Sequence, residues 1–352
     1  MNSGISVVIC CHNSSARIVE TLHHLMIQRS SRNIPWEVLL IDNASTDGTH
    51  EVALGCWPPD HPVPLRIVRE PRVGLGYARE RGMREALYDI VSFIDDDNWV
   101  CIEWVSKVYD FFTNNQDAAM IGGPSLPEFE NDPPDWFHPI RAFYAVGNQH
   151  ECNGDITDTP GTLLWGAGIS LRKTAFDQLL KDGFVFECSG RMGGKLTAGE
   201  DSELCFALRD SGWRIYYDSR FELRHFIPQG RLHWSYARRL FYGMGSASPV
   251  INAYRIAPLG TKTGVRSVQY LKESWAAQFF KSLKQLIQVF YSSPLDCIKG
   301  SEGCMNVLRF DRALGEFLAY LRLFGGYRGL ICRLRHAAWN RQAVHPSGRQ
   351  RS

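Results

Sequence analysis

The chain alternates short apolar runs with stretches in which apolar residues return every third or fourth position. Ile5 to Cys10 reads Ile-Ser-Val-Val-Ile-Cys, which predicts a strand buried on both faces. Ile18, Leu22, Leu25 and Met26 then stripe one face of a helix, with Ser14 or Ser15 placed to cap it. Trp36 to Ile41 is a second strand, so the opening is a βαβ unit with a right-handed crossover. Leu65 to Val68 predicts a third strand. A helix opens at Gly74 and carries Ala78, Gly82, Met83, Ala86 and Leu87 inward. Ile90 to Ile94 is the central strand, followed by a helix over roughly 100–112 and a strand over 118–122. Strands alternating with helices predict an α/β fold with a mostly parallel sheet.

The alternation breaks at Pro124. From there to Pro139 the chain holds five prolines and four acidic residues, which predicts a long loop. Thr162 to Leu171 returns to strand-like sequence around Gly166, Ala167 and Gly168, and a helix follows over 173–180. Gly190 to Gly199 is glycine-rich and predicts a mobile stretch. Glu200 then opens a helix that stops near Ser211-Gly212. Short strands are expected over 213–217 and 221–226. Beyond Gly230 the pattern is helical, with amphipathic stretches over 270–291 and 307–324, and disorder is expected from His345 to Ser352.

Composition is that of an ordinary globular protein: 352 residues, 44% hydrophobic and 22% charged. No apolar run reaches the roughly 18 residues of a membrane span. The first residues lack a basic leader, so no signal peptide is expected. The ten cysteines show no CxxC pair and mostly lie in apolar segments, which predicts reduced thiols in a cytoplasmic protein. The net charge of +2 conceals an asymmetry. Residues 255–352 carry 16 Lys+Arg against 5 Asp+Glu, +11, so the rest is −9. A basic, aromatic tail suits an anionic membrane surface or is simply a solvated helical face.

Candidate chemistry centres on Asp95, Asp96 and Asp97, where the central strand ends. Three adjacent carboxylates repel one another. Either they form a solvated acidic turn, or a hard cation such as Mg²⁺ or Mn²⁺ neutralises them together with substrate phosphates. Ligands of open α/β sheets bind at the carboxyl ends of strands, where Asp42 also falls. Arg79 stands in a helix's first turn, with a fork that matches phosphate oxygens. Glu200 and Asp201 stand at a helix N-terminus, where they either complement the helix dipole or do chemistry. The glycines near Arg79 form no GxGxxG and do not follow the first strand, which excludes a Rossmann dinucleotide site.

Six segments in order then resemble the inverting, non-processive family 2 glycosyltransferases of the GT-A fold. They are Ser6–Asn13 (SVVICCHN), Ile41–Asp47 (IDNASTD), Gly74–Arg79 (GLGYAR), Phe93–Asp97 (FIDDD), Gly166–Arg172 (GAGISLR) and Gly199–Leu204 (GEDSEL). The resemblance covers about 4–230. It implies a GT-A domain over 1–230, with a Rossmann-like nucleotide-sugar half (1–123) and an acceptor half (124–230). Residues 231–352 would be a basic helical extension.

The resemblance also implies roles. Cys10, Cys11, His12 and Asn13 would line the nucleotide pocket, with an imidazole where an aromatic ring is commoner. Asp42 would read an imide N–H of the base, because a carboxylate only accepts. Arg79 would pair with phosphates. Asp97 would bind Mn²⁺ or Mg²⁺, with Asp95 and Asp96 orienting metal, ribose or sugar. Asp201 would deprotonate the acceptor hydroxyl, with Glu200 positioning it. His225 either completes the metal shell or is a packed histidine, and Trp136 and Trp165 either stack on a sugar or pack in the core. The implied partners are a nucleotide-diphosphate sugar, UDP-linked by preference, and a glycan or lipid-linked acceptor, with the tail at the inner face of the cell membrane and no nucleic acid. The rival readings are a nucleotidyltransferase, or a catalytically inactive sugar-nucleotide-binding protein or scaffold on the same fold.

Overall fold

In the computed structural model, residues 2–30, 32–159, 163–188, 196, 199–257 and 273–341 are described. They divide into two compact units. The first comprises 1–133, 139–178 and 213–229, and the second 134–138, 179–212 and 230–352.

The first unit is built on an eight-stranded sheet. Its strands are β1 (Asn2–Cys11), β2 (Trp36–Asp42), β3 (Leu65–Arg69), β4 (Tyr88–Asp95), β6 (Ala118–Gly122), β8 (Gly154–Asp155), β9 (Ile169–Arg172) and β10 (Arg214–Tyr217), in the spatial order β3-β2-β1-β4-β9-β6-β10-β8. β3, β2, β1 and β4 run parallel, and β9 inserts antiparallel between β4 and β6. β1, β2 and β4 bury both faces, as their Val/Ile/Leu-rich sequences require, whereas the edge strand β3 is only half-buried. Helices α1 (Ile18–Met26), α2 (Thr49–Cys56), α3 (Leu75–Glu85), α4 (Trp104–Asn114) and α5 (Lys173–Lys181) follow in chain order, α5 running out of this unit at Gln178. α3 approaches the sheet closely at Gly82, where a Cβ would collide with Val8. A mostly parallel α/β sheet flanked by helices and followed by a helical C-terminal region is expected, and this is the class observed.

Three local expectations are corrected. No side chain caps α1; the Ser14 hydroxyl accepts from the His12 N–H, and Ser15 donates to Asp47. The helix expected from Val100 begins at Trp104, because Asn98–Val100 is a strand, β5, in a second sheet of order β5-β11-β7. The loop expected over 124–139 contains β7 (Ser125–Phe129) and the start of a 3₁₀ helix (Asp135–Tyr144). β7 pairs with β11 (Leu223–Ile227) and is an edge strand, so Pro127 costs no ladder bond on its open side.

The second unit contains α6 (Glu200–Asp210), α7 (Trp234–Ile256), α8 (Trp275–Ser292), α9 (Pro294–Lys299), α10 (Met305–Arg322) and α11 (Tyr327–His336). α7 and α10 cross with backbones touching. A Cβ on Gly245 would strike the Arg312 carbonyl, and one on Gly315 would strike that of Tyr242. The Arg238–Asp311 ion pair, with Nε to Oδ2 at 2.7 Å, ties the same two helices. The expected helices over 270–291 and 307–324 correspond to α8 and α10. Most of the glycine-rich stretch Gly190–Gly199, residues 270–272 and the tail His345–Ser352 lie outside the described residues.

Candidate active site

Parallel pairing brings the carboxyl ends of β1, β2 and β4 to one edge. Cys10 sits beside Ile41 and Asp95, and Cys11 beside Asp42. The loops leaving these ends hold one another. Asn13 takes a left-handed conformation (φ 52°), accepts on Oδ1 from the Thr46 N–H at 2.9 Å, and donates its own N–H to the Ser45 hydroxyl at 3.0 Å. Its side chain is therefore committed to the loop from β2. His12 is exposed, and its Nδ1 lies 2.7 Å from the Asn43 carbonyl. A carbonyl only accepts, so Nδ1 carries a proton and Nε2 faces outward as an acceptor in the neutral ring.

Asp42 is buried and accepts on Oδ1 from the Ser45 N–H at 3.0 Å, leaving Oδ2 for a second role. Asp47 does the heavier structural task. Burial works against its charge, but hydrogen bonds from Thr49 and Ser15 hold it below the ordinary carboxylate range. Asn43 bonds the carbonyls of Glu70 and Arg72 and accepts from the Gly74 N–H. It thereby fixes the turn (Gly74, φ 145°) that launches α3 and so Arg79. The Arg79 side chain is buried against Gly166, where the backbone has no Cβ. Burial pushes the Cys10 thiol up to about 12 despite Arg79, with Asp95 and Asp96 adding to the rise, so Cys10 stays a neutral thiol.

The three aspartates are not equivalent. Asp95 is half-buried, and its N–H donates to Asn98 Oδ1. Asp96 is buried and paired with Arg17, Nη2 to Oδ2 at 2.6 Å. Burial pushes the Asp96 carboxyl up, Asp97 adds to the rise, and Arg17 opposes it. Asp97 is 1% exposed, and Asn98 Nδ2 donates to its Oδ1 at 3.2 Å. Antiparallel pairing of β5 with β11 sets His225 opposite Asn98. His225 Nε2 thus lies 3.6 Å from Asp97 Oδ1, too far for a good hydrogen bond. Arg17 and Asn98 carried no signal in sequence, since each acquires its role through a partner that only folding supplies.

The remaining candidates stand on other elements. Trp165 is half-buried in the first unit, its N–H bonded to Gln149 Oε1. Trp136 takes the packing alternative inside the second unit: it is 7% exposed, donates Nε1–H to Glu302, and meets Trp234 edge-on. Glu200 and Asp201 open α6 in that same unit. Glu200 is buried, while Asp201 is half-buried and accepts from the Ser202 N–H at 2.8 Å. One turn on, Glu203 is fully buried and accepts from the N–H groups of Glu187 and Cys188 at 3.0 Å each. Burial pushes its carboxyl up to about 8.

Asp97 and His225 supply one hard oxygen and one imidazole nitrogen, donors that suit a divalent ion sharing its shell with phosphates. Among the described residues, no group of three or more His, Cys, Asp and Glu forms a ready-made metal cage. The fit is therefore to an ion completed by its ligand's own oxygens.

Fold and site edge together define an α/β protein whose candidate site lies at the carboxyl ends of parallel strands. Residues 6–179, just under half of the chain, match the model described as Glycosyl transferase family 2. It is 23% identical over 287 residues to the glucosyl-dolichyl phosphate glucuronosyltransferase of Haloferax volcanii, covering 81% of this chain and 87% of the relative. It is 22% identical over 279 residues to the succinoglycan biosynthesis protein ExoM of Rhizobium meliloti, covering 74% of this chain and 82% of the relative. The crystal structure of S. aureus TarS 1–349 is similar with a TM-score of 0.48 and 16% identity, over 97% of this chain and 89% of that one.

Proposed function

We propose that the chain is an inverting, metal-dependent glycosyltransferase that moves a hexose from a nucleotide-diphosphate sugar, UDP-linked by preference, to a hydroxyl of a glycan or lipid-linked acceptor. Cell-surface polysaccharide synthesis is the setting that the names of two relatives support: succinoglycan for ExoM and, for a Bacillus subtilis relative 26% identical over 133 residues, teichuronic acid. The observation that carries the reading is the placement of Asp97 beside His225, with Asp42, His12 and Arg79 on loops and a helix at the same sheet edge.

In this reading Asp42 takes the imide N–H of the base on its second oxygen, and the His12 ring stacks on or bonds the nucleoside. Arg79 binds the diphosphate. Asp97 and His225 hold the cation, and the imidazole favours Mn²⁺ over Mg²⁺. When bound, the cation supplies charge neutralisation for the departing diphosphate. Asp201 takes the proton of the attacking hydroxyl, and Glu200 orients it. Direct displacement inverts the anomeric carbon. The basic C-terminal region meets an anionic membrane surface at the cytoplasmic face. Among the described residues no helix is long and apolar enough to cross a membrane.

Calorimetric titration of nucleoside diphosphates with and without Mn²⁺ tests the proposal. Metal-dependent binding of UDP that is lost in Asp97→Ala supports it, and ¹H NMR of the product's anomeric coupling tests inversion. Absence of binding to any nucleoside diphosphate would sink the proposal and favour the scaffold alternative.

A further inference from the structure

The exposed large apolar residues of the chain are scattered singly over the first unit but concentrate on two successive helices of the second. On α8, Phe280, Ile287 and Tyr291 are 63%, 46% and 76% exposed. They stand at i, i+7 and i+11, with the exposed Lys284 at i+4, so the four share one face. The other side of α8 is spoken for. Ser282 is buried, Phe279 stacks on Trp275 and packs against Phe317, and Phe290 packs against Phe310 of α10. After a short turn, α9 leaves Leu295 and Ile298 68% and 72% exposed while Cys297 points inward. Phe324, 72% exposed, lies edge-on to Trp275 at the start of α8.

Soluble chains rarely leave so many large apolar side chains together without a use for them. The charges decide which use. Between Ser274 and Gly300 the chain carries Lys281, Lys284 and Lys299 against a single acidic residue, Asp296, which is half-buried. An apolar face with lysines along it and almost no carboxylate is a poor match for a second copy of itself, whose lysines would repel. It is a good match for an anionic lipid surface. Apolar side chains enter the acyl boundary, and the long lysine stems carry their charges back to the headgroups.

We infer that α8 and α9 form an interfacial element that lies on an anionic bilayer, with Phe280, Ile287 and Tyr291 as the inserted residues and Lys284 and Lys299 as the headgroup contacts. The inference gives the membrane contact proposed above a definite surface. It stands independently of sugar transfer, since lipid binding is read without donor, metal or turnover.

The test is co-sedimentation of the full chain with vesicles of phosphatidylcholine alone and of phosphatidylcholine with phosphatidylglycerol, at low and high salt. Binding to the anionic vesicles that weakens with salt is expected. Phe280→Ser with Tyr291→Ser should weaken partition by about tenfold or more, the loss of two inserted side chains. Lys284→Glu with Lys299→Glu should remove the preference for anionic lipid. All four positions are exposed, and thermal melting and sedimentation velocity confirm that each variant keeps the wild-type fold. No binding to anionic vesicles, or binding unchanged in both double variants, would overturn the inference. A dimer in solution that Phe280→Ser with Tyr291→Ser dissociates would also overturn it, assigning the face to a second copy.

Discussion

A Cβ at position 166 would occupy the space that now holds the Arg79 guanidinium: it would lie 3.1 Å from Cζ and from Nη1, and closer still to Nη2. Gly166→Ala is therefore a way to move Arg79 without touching its charge. The backbone at 166 is not left-handed, so alanine itself fits. The clash falls on the far end of a flexible side chain and is relieved by rotating it, at about 0.5–1.5 kcal/mol for an off-rotamer arginine. The lost freedom of the unfolded chain returns about 0.4–1 kcal/mol. Net stability should therefore change by less than about 1 kcal/mol. Function should change more. A charged hydrogen bond to phosphate contributes about 1.5–3 kcal/mol, so kcat/KM for the donor should fall by about 10- to 150-fold. The assay is transfer kinetics alongside thermal melting, in a cycle with Arg79→Ala. If the two changes act through one group, the double variant is no worse than Arg79→Ala alone. Unaltered kcat/KM in Gly166→Ala, or additive losses in the cycle, would refute the reasoning.

Asp201→Asn keeps the shape of the side chain and its bond to the Ser202 N–H but removes its basicity, so transfer should drop by about 10²-fold or more while titrated UDP affinity stays at the wild-type value. Near-wild-type turnover would remove Asp201 from the chemistry. Glu203 titrates near 8 when folded against an ordinary 4.5, so between those values the native chain holds a proton that the unfolded chain has released. Its contribution is greatest below 4.5 and declines as pH rises through 8, so Tm should fall from pH 6 to 9 and fall less in Glu203→Gln; identical slopes would contradict this. Glu37 is fully buried and bonds Ser6, the Leu87 N–H and Arg66, so Glu37→Ala should cost about 3–5 kcal/mol in urea unfolding, and a loss below about 1 would show the cluster to be dispensable.

The parallel half of the sheet was legible because its strands are buried on both faces, and such runs differ sharply from the amphipathic helices between them. The edge of the candidate site was legible for the same reason: once β1, β2 and β4 are placed, Cys10, Asp42 and Asp95 share it. The second sheet was hidden. Asn98 and Trp99 look like the approach to a helix, and β5 exists only because residues 223–225 return to pair with it. Proline at 127 argued for a loop, and only its edge position makes it a strand residue. Arg17 drew no reading from the sequence, because nothing near it announces Asp96. Arg172, in a segment that resembles the family's, donates to the carbonyls of Phe112 in the last turn of α4, Asn115 just past it and Ala118 in β6, a structural task. Trp136 carried no cue to separate stacking on sugar from edge-on packing against Trp234.

The return of β10 and β11 to the first unit bears on how this chain can be cut and recombined. A fragment ending at residue 179, where the family match stops, would lack both strands. β6 would then present an open edge of unpaired amides, and β5 would have no partner. Phe221 and Leu223 would be missing from the core around Trp104. The same cut removes His225 from beside Asp97. The smallest piece that can be grafted, swapped between relatives or expressed for binding studies therefore runs through residue 229, with 179–212 carried along as an insertion between its strands.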